Sequence, residues 1–457
     1  MNAPVAAPAA GRDAPALSLR TCLAWGAGTI AVAALFNSLN VLLLRYVVDY
    51  GGIGAALAGT LIAGSKIYDA IIDPVIGGAS DRSRSRHGRR RPFILAGGLL
   101  LAVSALLLFN LPDFSSGTAT AVFFVFGLLV YATGYATFSV PYMAMPAEMT
   151  SSYHERSRLI SFRVGAVAIA SMLAVFVGPV LMDWAGGGQA GHTALSIFLA
   201  GIVVIATLYC FHGTRDAPHH SAEGTPNLPW SRKLQLMAAN RPFVILIIVK
   251  ILQLMALAVT QASMPFLFKR VLQLGDSALG LYFLIFYGTM ILVQPLWVRA
   301  ARLKGKRDIY IAATLIYGLI YLSWYFVTEN EPTALVYLRA MALGGFGGAV
   351  LLLGQSLLPD TMEWDYRQSG LRREGMLSAV YTIVEKVAFA FGAALTGLLL
   401  GRAGYLQGTG GAEVVQPASA IEAIYWLASI IPLGFLLLSV VALFFYDLTA
   451  EKLGETR

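Results

Sequence analysis

Apolar residues run in long blocks separated by short polar turns from residue 20 to residue 447. A helix that crosses a bilayer needs about 20 mostly apolar residues. Twelve blocks meet that requirement: 20–46, 53–79, 93–112, 118–146, 158–183, 194–213, 242–269, 277–298, 309–328, 334–358, 377–402 and 419–447. Gly and Pro are scattered through them, which membrane helices tolerate because neighbouring groups satisfy the freed backbone. The longest polar segment, 214–240, falls near the middle of the chain. The pattern therefore predicts an all-α membrane protein with two six-helix bundles, 18–213 and 241–447, joined by a linker at 214–240. Residues 1–17 and 448–457 read as cytoplasmic tails, the first disordered and without the charged start, apolar run and cleavage site of a signal peptide.

Composition agrees with lipid as the solvent. The chain is 57% hydrophobic and only 13% charged, against roughly 25% charged in soluble domains. Its net charge of +8 is gathered in a few short loops. Lys and Arg crowd the turn after the second block (Arg82, Arg84, Arg86, Arg89, Arg90, Arg91) and the turn after the eighth (Arg299, Arg302, Lys304, Lys306, Arg307). The alternate turns are nearly empty. By the positive-inside rule both termini face the cytoplasm, and the basic charge is explained without nucleic acid. Cys22 and Cys210 lie far apart in apolar blocks, so neither a disulfide nor a zinc site is expected. His219 and His220 read as part of a solvated turn. No G-x-x-x-x-G-K-[ST] occurs, so no nucleotide is implied.

The two halves resemble each other. Pro146, Met149 and Tyr153 are matched at identical spacing by Pro359, Met362 and Tyr366, and RHGRRR (86–91) is echoed by RLKGKR (302–307). Parallel repeats of six helices describe the major facilitator superfamily (MFS) fold, with a binding site between pseudo-symmetric bundles.

Chemistry concentrates in 66–92, KIYDAIIDPVIGGASDRSRSRHGRRRP. Asp69 and Asp73 sit four residues apart inside the second block, so they share one helical face. Carboxylates at membrane depth are costly and mark ion or substrate paths. Pro74 removes a backbone hydrogen bond beside Asp73.

Asp69, Asp73, Pro74, Gly77, Asp81, Arg82, Ser85, Arg86, Gly88, Arg89, Arg90 and Pro92 stand in order as D-x-x-x-D-P and D-R-x-x-S-R-x-G-R-R-x-P. This resembles the signature of the glycoside–pentoside–hexuronide cation symporters, the melibiose-permease-like branch of the MFS. V-P-Y (140–142), E-R-S-R with Arg163 beyond it, G-L-R-R-E-G (370–375), Lys386 and G-Y (404–405) extend the likeness over nearly the whole chain. The resemblance implies a secondary active carrier, not an enzyme, with no cofactor beyond its coupling ion. It implies the coupling cation, H+ or Na+, at Asp69 and Asp73. It places Lys386, Thr382, Arg163 and Tyr135 at positions that line the family's site, and Asp81, Arg82 and Arg89 at a conformational latch.

Departures from the pattern narrow the reading. The family's fourth-helix sugar-binding acid falls on Ser139 and a nearby tryptophan on Met143. The first-helix acid falls near Ala33, with Asn37 and Asn40 one and two turns on. A threonine of the sodium site falls on Ala136 and an asparagine on Ile72, leaving Thr137 as the substitute oxygen ligand. Loss of oxygen ligands favours H+ over Na+. The expected substrate is a sugar or glycoside, contacted by Asn37, Tyr135, Ser139, Tyr142, Arg163, Tyr381, Thr382 and Lys386. The alternative cargo is a lysolipid-like amphiphile, which needs an apolar cleft. The expected setting is a monomer among the lipids of a bacterial inner membrane. For Lys250, deep in the seventh block, cavity lining, pairing with an acid and snorkelling stay open; Arg45 and Arg339 read as snorkelling or gating groups.

Overall fold

A computed structural model of the chain describes residues 17–114, 116–150, 153–217, 240–369, 374–408 and 414–448. The tail residues 1–16 and 449–457 and most of the expected linker, 218–239, lie outside that set. The described residues form up to twelve membrane-crossing helices. They are α1 (Leu19–Asp49), α2 (Ala55–Arg82), α3 (Arg91–Leu108), α4 (Gly117–Met149), α5 (Arg158–Trp184), α6 (Gly188–Gly213), α7 (Arg241–Val271), α8 (Asp276–Leu292, then Gln294–Lys304), α9 (Lys306–Phe326), α10 (Thr333–Ser369), α11 (Glu374–Arg402) and α12 (Ala418–Phe444). All twelve predicted spans have a counterpart. Two differ in shape. The eighth is bent by 44° at Val293, where Pro295 cannot supply a backbone donor. The tenth runs on as α10 through Asp360, Glu363 and Asp365, past the apolar block that a hydropathy reading detects.

Packing is helix on helix. α3 lies against α4, and α1 against α5 and α6, in the first half. In the second, α7 packs on α11 and α12, and α10 on α8 and α9. The echoed loops have the same geometry. Gly88 and Gly305 take φ of +89° and +87°, a left-handed turn that costs a side-chain-bearing residue energy. The next residue then pairs with an acid in each half: Arg89 with Glu148 at 2.5 Å and Lys306 with Asp360 at 2.6 Å.

One face carries residues 17, 217, 240 and 448; here it is called the terminal face. The two halves are sealed at the opposite face. Gly59 of α2 lies so close to α11 that a Cβ there would be 2.6 Å from the Ala393 carbonyl oxygen. Arg45 of α1 pairs with Asp276 of α8 at 2.6 Å, and Asp49 of α1 with Arg270 of α7 at 3.2 Å. The Tyr405 hydroxyl donates to Asp49 at 2.9 Å, and Arg270 donates to Tyr405 at 3.0 Å. Burial pushes the Tyr405 phenol above its ordinary value, and Asp49 adds to the effect, so it stays a donor. Arg45 thus joins the bundles rather than snorkelling. Arg339 instead pairs inside the second half with Glu331 and lies over Trp324.

Candidate functional site

The α2 helix separates two faces. Ile67, Ile71 and Val75 are exposed along one stripe. Lys66, Asp69 and Asp73 lie roughly half a turn away, so they face the protein interior. Lys386 reaches them from α11, with Nζ 3.0 Å from Asp69 Oδ2 and 2.6 Å from Asp73 Oδ2. Asp69 is 3% exposed and Asp73 28%. The second oxygen of each acid, Oδ1, is buried without a hydrogen-bond partner among the described residues. One ammonium therefore bridges two carboxylates and two bundles at mid-membrane. Like charges four residues apart are tolerable there only with such a partner.

Aromatic rings pack around the two lysines beside the acids. Lys386 Nζ is 5.3 Å from the centre of the Tyr135 ring, and Ser139 follows Tyr135 by one turn on the same face of α4. Lys66, one turn before Asp69, holds its ammonium over Tyr131 at 5.1 Å and Phe36 at 5.7 Å. Cation–π attraction holds a charge without consuming a carboxylate. Lys66 was legible in the sequence, since K-x-x-D puts it and Asp69 on one helical face.

Other expected residues fall elsewhere. Thr137 lies roughly 200° round α4 from Tyr135 and is buried. Tyr142 is corrected. It is buried, stacks on Trp25 at 4.9 Å, bonds Thr29 Oγ1 at 2.7 Å and donates to the Trp25 carbonyl at 2.6 Å. Every polar atom of that side chain is used inside the first bundle. Asn37 donates to Ser171 of α5 at 3.1 Å. Arg163 is half-buried on α5, and its Nε is buried without a partner among the described residues. Tyr381 and Thr382 belong to α11, but their side chains lie outside the described set.

The expected latch is centred one residue further along. Asp81 pairs with Arg90 at 2.5 Å, and Arg90 Nε bonds Glu148 at 2.8 Å. Arg90 is buried, whereas Arg82 is exposed at the end of α2. Arg89 joins the same Glu148. Glu148 was missed because it lies beyond the fourth apolar block, where a carboxylate is unremarkable. Lys250 pairs with Glu385 of α11 at 2.9 Å, the acid pairing among its three readings. No group of three or more His, Cys, Asp or Glu is assembled among the described residues.

Interior charges on facing bundles, sealed at one end, belong to a multi-pass membrane transporter. The chain belongs to the family described as MFS/sugar transport protein, whose sequence model matches residues 24–450. It is 29% identical to the glucuronide carrier protein homolog of Escherichia coli (strain K12), over 96% of this chain and 94% of that one. It is 26% identical to a putative glycoside/cation symporter, YagG, of the same organism, over 95% and 93%. Among solved structures, the POT family transporter PepTSo superposes with a TM-score of 0.63 at 12% identity, over 96% of this chain and 99% of that one. At that identity the likeness is one of fold, and it is the MFS fold.

Proposed function

We propose that this protein is a secondary active carrier that couples symport of a sugar or glycoside to a cation, with H+ favoured over Na+, by alternating access. The relatives' names, a glucuronide carrier homolog and a putative glycoside/cation symporter, support the substrate class and the coupling. The observation that carries the mechanism is Lys386 seated between Asp69 and Asp73. Any coupling cation must neutralise the same acids, so it competes with that ammonium. Once displaced, Lys386 no longer ties α11 to α2, and the bundles are freer to rock.

Ala136 and Ile72 leave few oxygens for a metal ion beyond the two carboxylates, whereas a proton needs only one carboxylate oxygen. Charged and hydroxyl groups around the acids (Tyr135, Ser139, Lys386) support a polar cargo over a lysolipid-like amphiphile. The basic loops support a bacterial inner membrane with the terminal face in the cytoplasm; a monomer suffices for the mechanism.

The test is uptake of a panel of glycosides into vesicles under a pH gradient without sodium, then under a sodium gradient at uniform pH. Uptake driven by pH alone, and lost in Asp73→Asn, is the expected result. Cation-stimulated uptake that persists unchanged in Asp73→Asn would remove the acids from the mechanism.

A further inference from the structure

The first bundle lacks an acid to hold sugar hydroxyls, since Ser139 and Ala33 occupy the positions where one is expected. The second bundle has one. Glu385 precedes Lys386 on α11, so the two side chains leave the helix about 100° apart. Lys386 turns to α2 across the gap. Glu385 turns toward α7, where Lys250 Nζ meets its Oε1 at 2.9 Å. Lys250 is 8% exposed, but Glu385 is 46% exposed. That exposure is not toward lipid. The exposed apolar stripe of α11 is Ile383, Val387 and Phe391, and Glu385 lies roughly 160° or more from Ile383 and Val387. A carboxylate two to three turns inside a membrane helix, anchored by a buried lysine and open to the interior, is costly to keep without a use. Phe389, one turn on from Glu385, packs edge-on against Phe36 of α1 at 5.3 Å, which puts this face of α11 at the gap between the bundles.

We infer that Lys250 and Glu385 form a hydroxyl-binding subsite on the second bundle, one that takes a vicinal diol of the cargo. This rests on the sugar reading above. The carboxylate accepts from one or two sugar hydroxyls, and the lysine holds the carboxylate in place and donates to the neighbouring oxygen. Charge-assisted hydrogen bonds of this kind are the strong ones. A subsite here also lets the cargo touch both bundles, so that its binding reports to the half that does not carry the acids. α7 and α11 pack within one bundle, so the subsite travels intact as the bundles rock, whereas the Lys386 bridge is remade.

The full-length protein in proteoliposomes tests this. The probes are isoprimeverose, methyl β-D-glucuronide and methyl β-D-glucoside, and the first taken up by the unaltered protein is carried forward. Glu385→Gln is expected to raise the KM for that probe about tenfold or more, with the pH or sodium dependence of uptake unchanged. A deoxy analogue lacking the hydroxyl that Glu385 accepts is transported equally poorly by both proteins. To separate binding from folding, Lys250→Met/Glu385→Leu removes both charges of the pair together. It is expected to keep its melting midpoint while showing the same raised KM. An unchanged KM in Glu385→Gln overturns the subsite while leaving the sugar reading standing. So does a loss that falls on cation dependence instead. Uptake of none of the three probes overturns both.

Discussion

At the residue scale, what separates function from packing is whether a polar group has spent its hydrogen bonds. Asp69 and Asp73 each keep one buried oxygen without a partner among the described residues, whereas the Tyr142 hydroxyl is committed to Thr29 and Trp25. The two therefore differ in what a substitution does. Tyr142→Phe removes a buried hydroxyl and strands little, so a loss of about 1 kcal/mol in stability is expected, with the KM for the transported probe unchanged. Thermal denaturation and uptake on the same preparation check it; a raised KM at unaltered stability would return Tyr142 to the binding surface. Lys386→Met leaves two carboxylates without their bridging ammonium. Breaking a buried ion pair at one partner costs about 3–5 kcal/mol, and Lys386 is 24% exposed, so the lower end is expected. Lys386→Arg keeps the charge and is expected to recover most of that stability. Equal melting midpoints for Lys386→Met and the unaltered protein would show that the acids do not need it. The acids themselves were readable in D-A-I-I-D-P because charge inside an apolar block is rare. The fate of Tyr142 was not, since its partners are more than a hundred residues distant.

Among the elements, the hydropathy pattern located every helix yet misjudged what ends or bends one. The bend in α8 follows from Pro295, a local cause. The extension of α10 past Pro359 does not, because Pro146 at the matched position lies at the last turn of α4. Past the apolar block, charged residues give no hydropathy signal in either case. The loop echo RHGRRR and RLKGKR carried more structural content than its charge: both glycines adopt the same left-handed φ. Gly305→Ala is expected to cost about 1 kcal/mol and to loosen the Lys306–Asp360 pair beside it. Gly288 of α8 offers the contrast. A Cβ there meets nothing within 4 Å, and the helix is a conformation alanine prefers, so Gly288→Ala is expected to raise stability by about 0.5–1 kcal/mol. Melting midpoints of the two variants in one detergent should move in opposite directions. A parallel fall would mean that backbone conformation does not govern these positions.

For the whole molecule, the decisive interactions are those that cross between bundles, and these were the least legible in the sequence. Arg45 gave no sign of its partner, because Asp276 is more than two hundred residues away and looked like a loop acid. Among the described residues the crossing ion pairs are Arg45–Asp276, Asp49–Arg270 and the two bonds of Lys386. The first two seal the opposite face. Each bundle supplies one arginine and one aspartate, so each face of the seal is neutral. Arg45 and Asp49 are also four residues apart on one helix, a spacing that allows them to pair with each other when the bundles part. Opening therefore leaves Arg45 and Asp49 a partner in each other. The π-helical turns Leu39–Leu43 and Leu267–Val271 lie next to these residues in α1 and α7, and such bulges often occur at functional sites. Asp276→Asn should remove the partner of Arg45 and leave the Arg45–Asp49 alternative intact. The population then moves toward a form open at that face. Spin labels at the outer ends of α1 and α8 should report a second, longer distance in Asp276→Asn and a single short one in the unaltered protein. Asp49→Asn in addition removes the Asp49–Arg270 pair and should enlarge the long-distance population further. An identical distance distribution in all three proteins would mean that the glycine crossing of α2 and α11, not the charge quartet, holds this face closed.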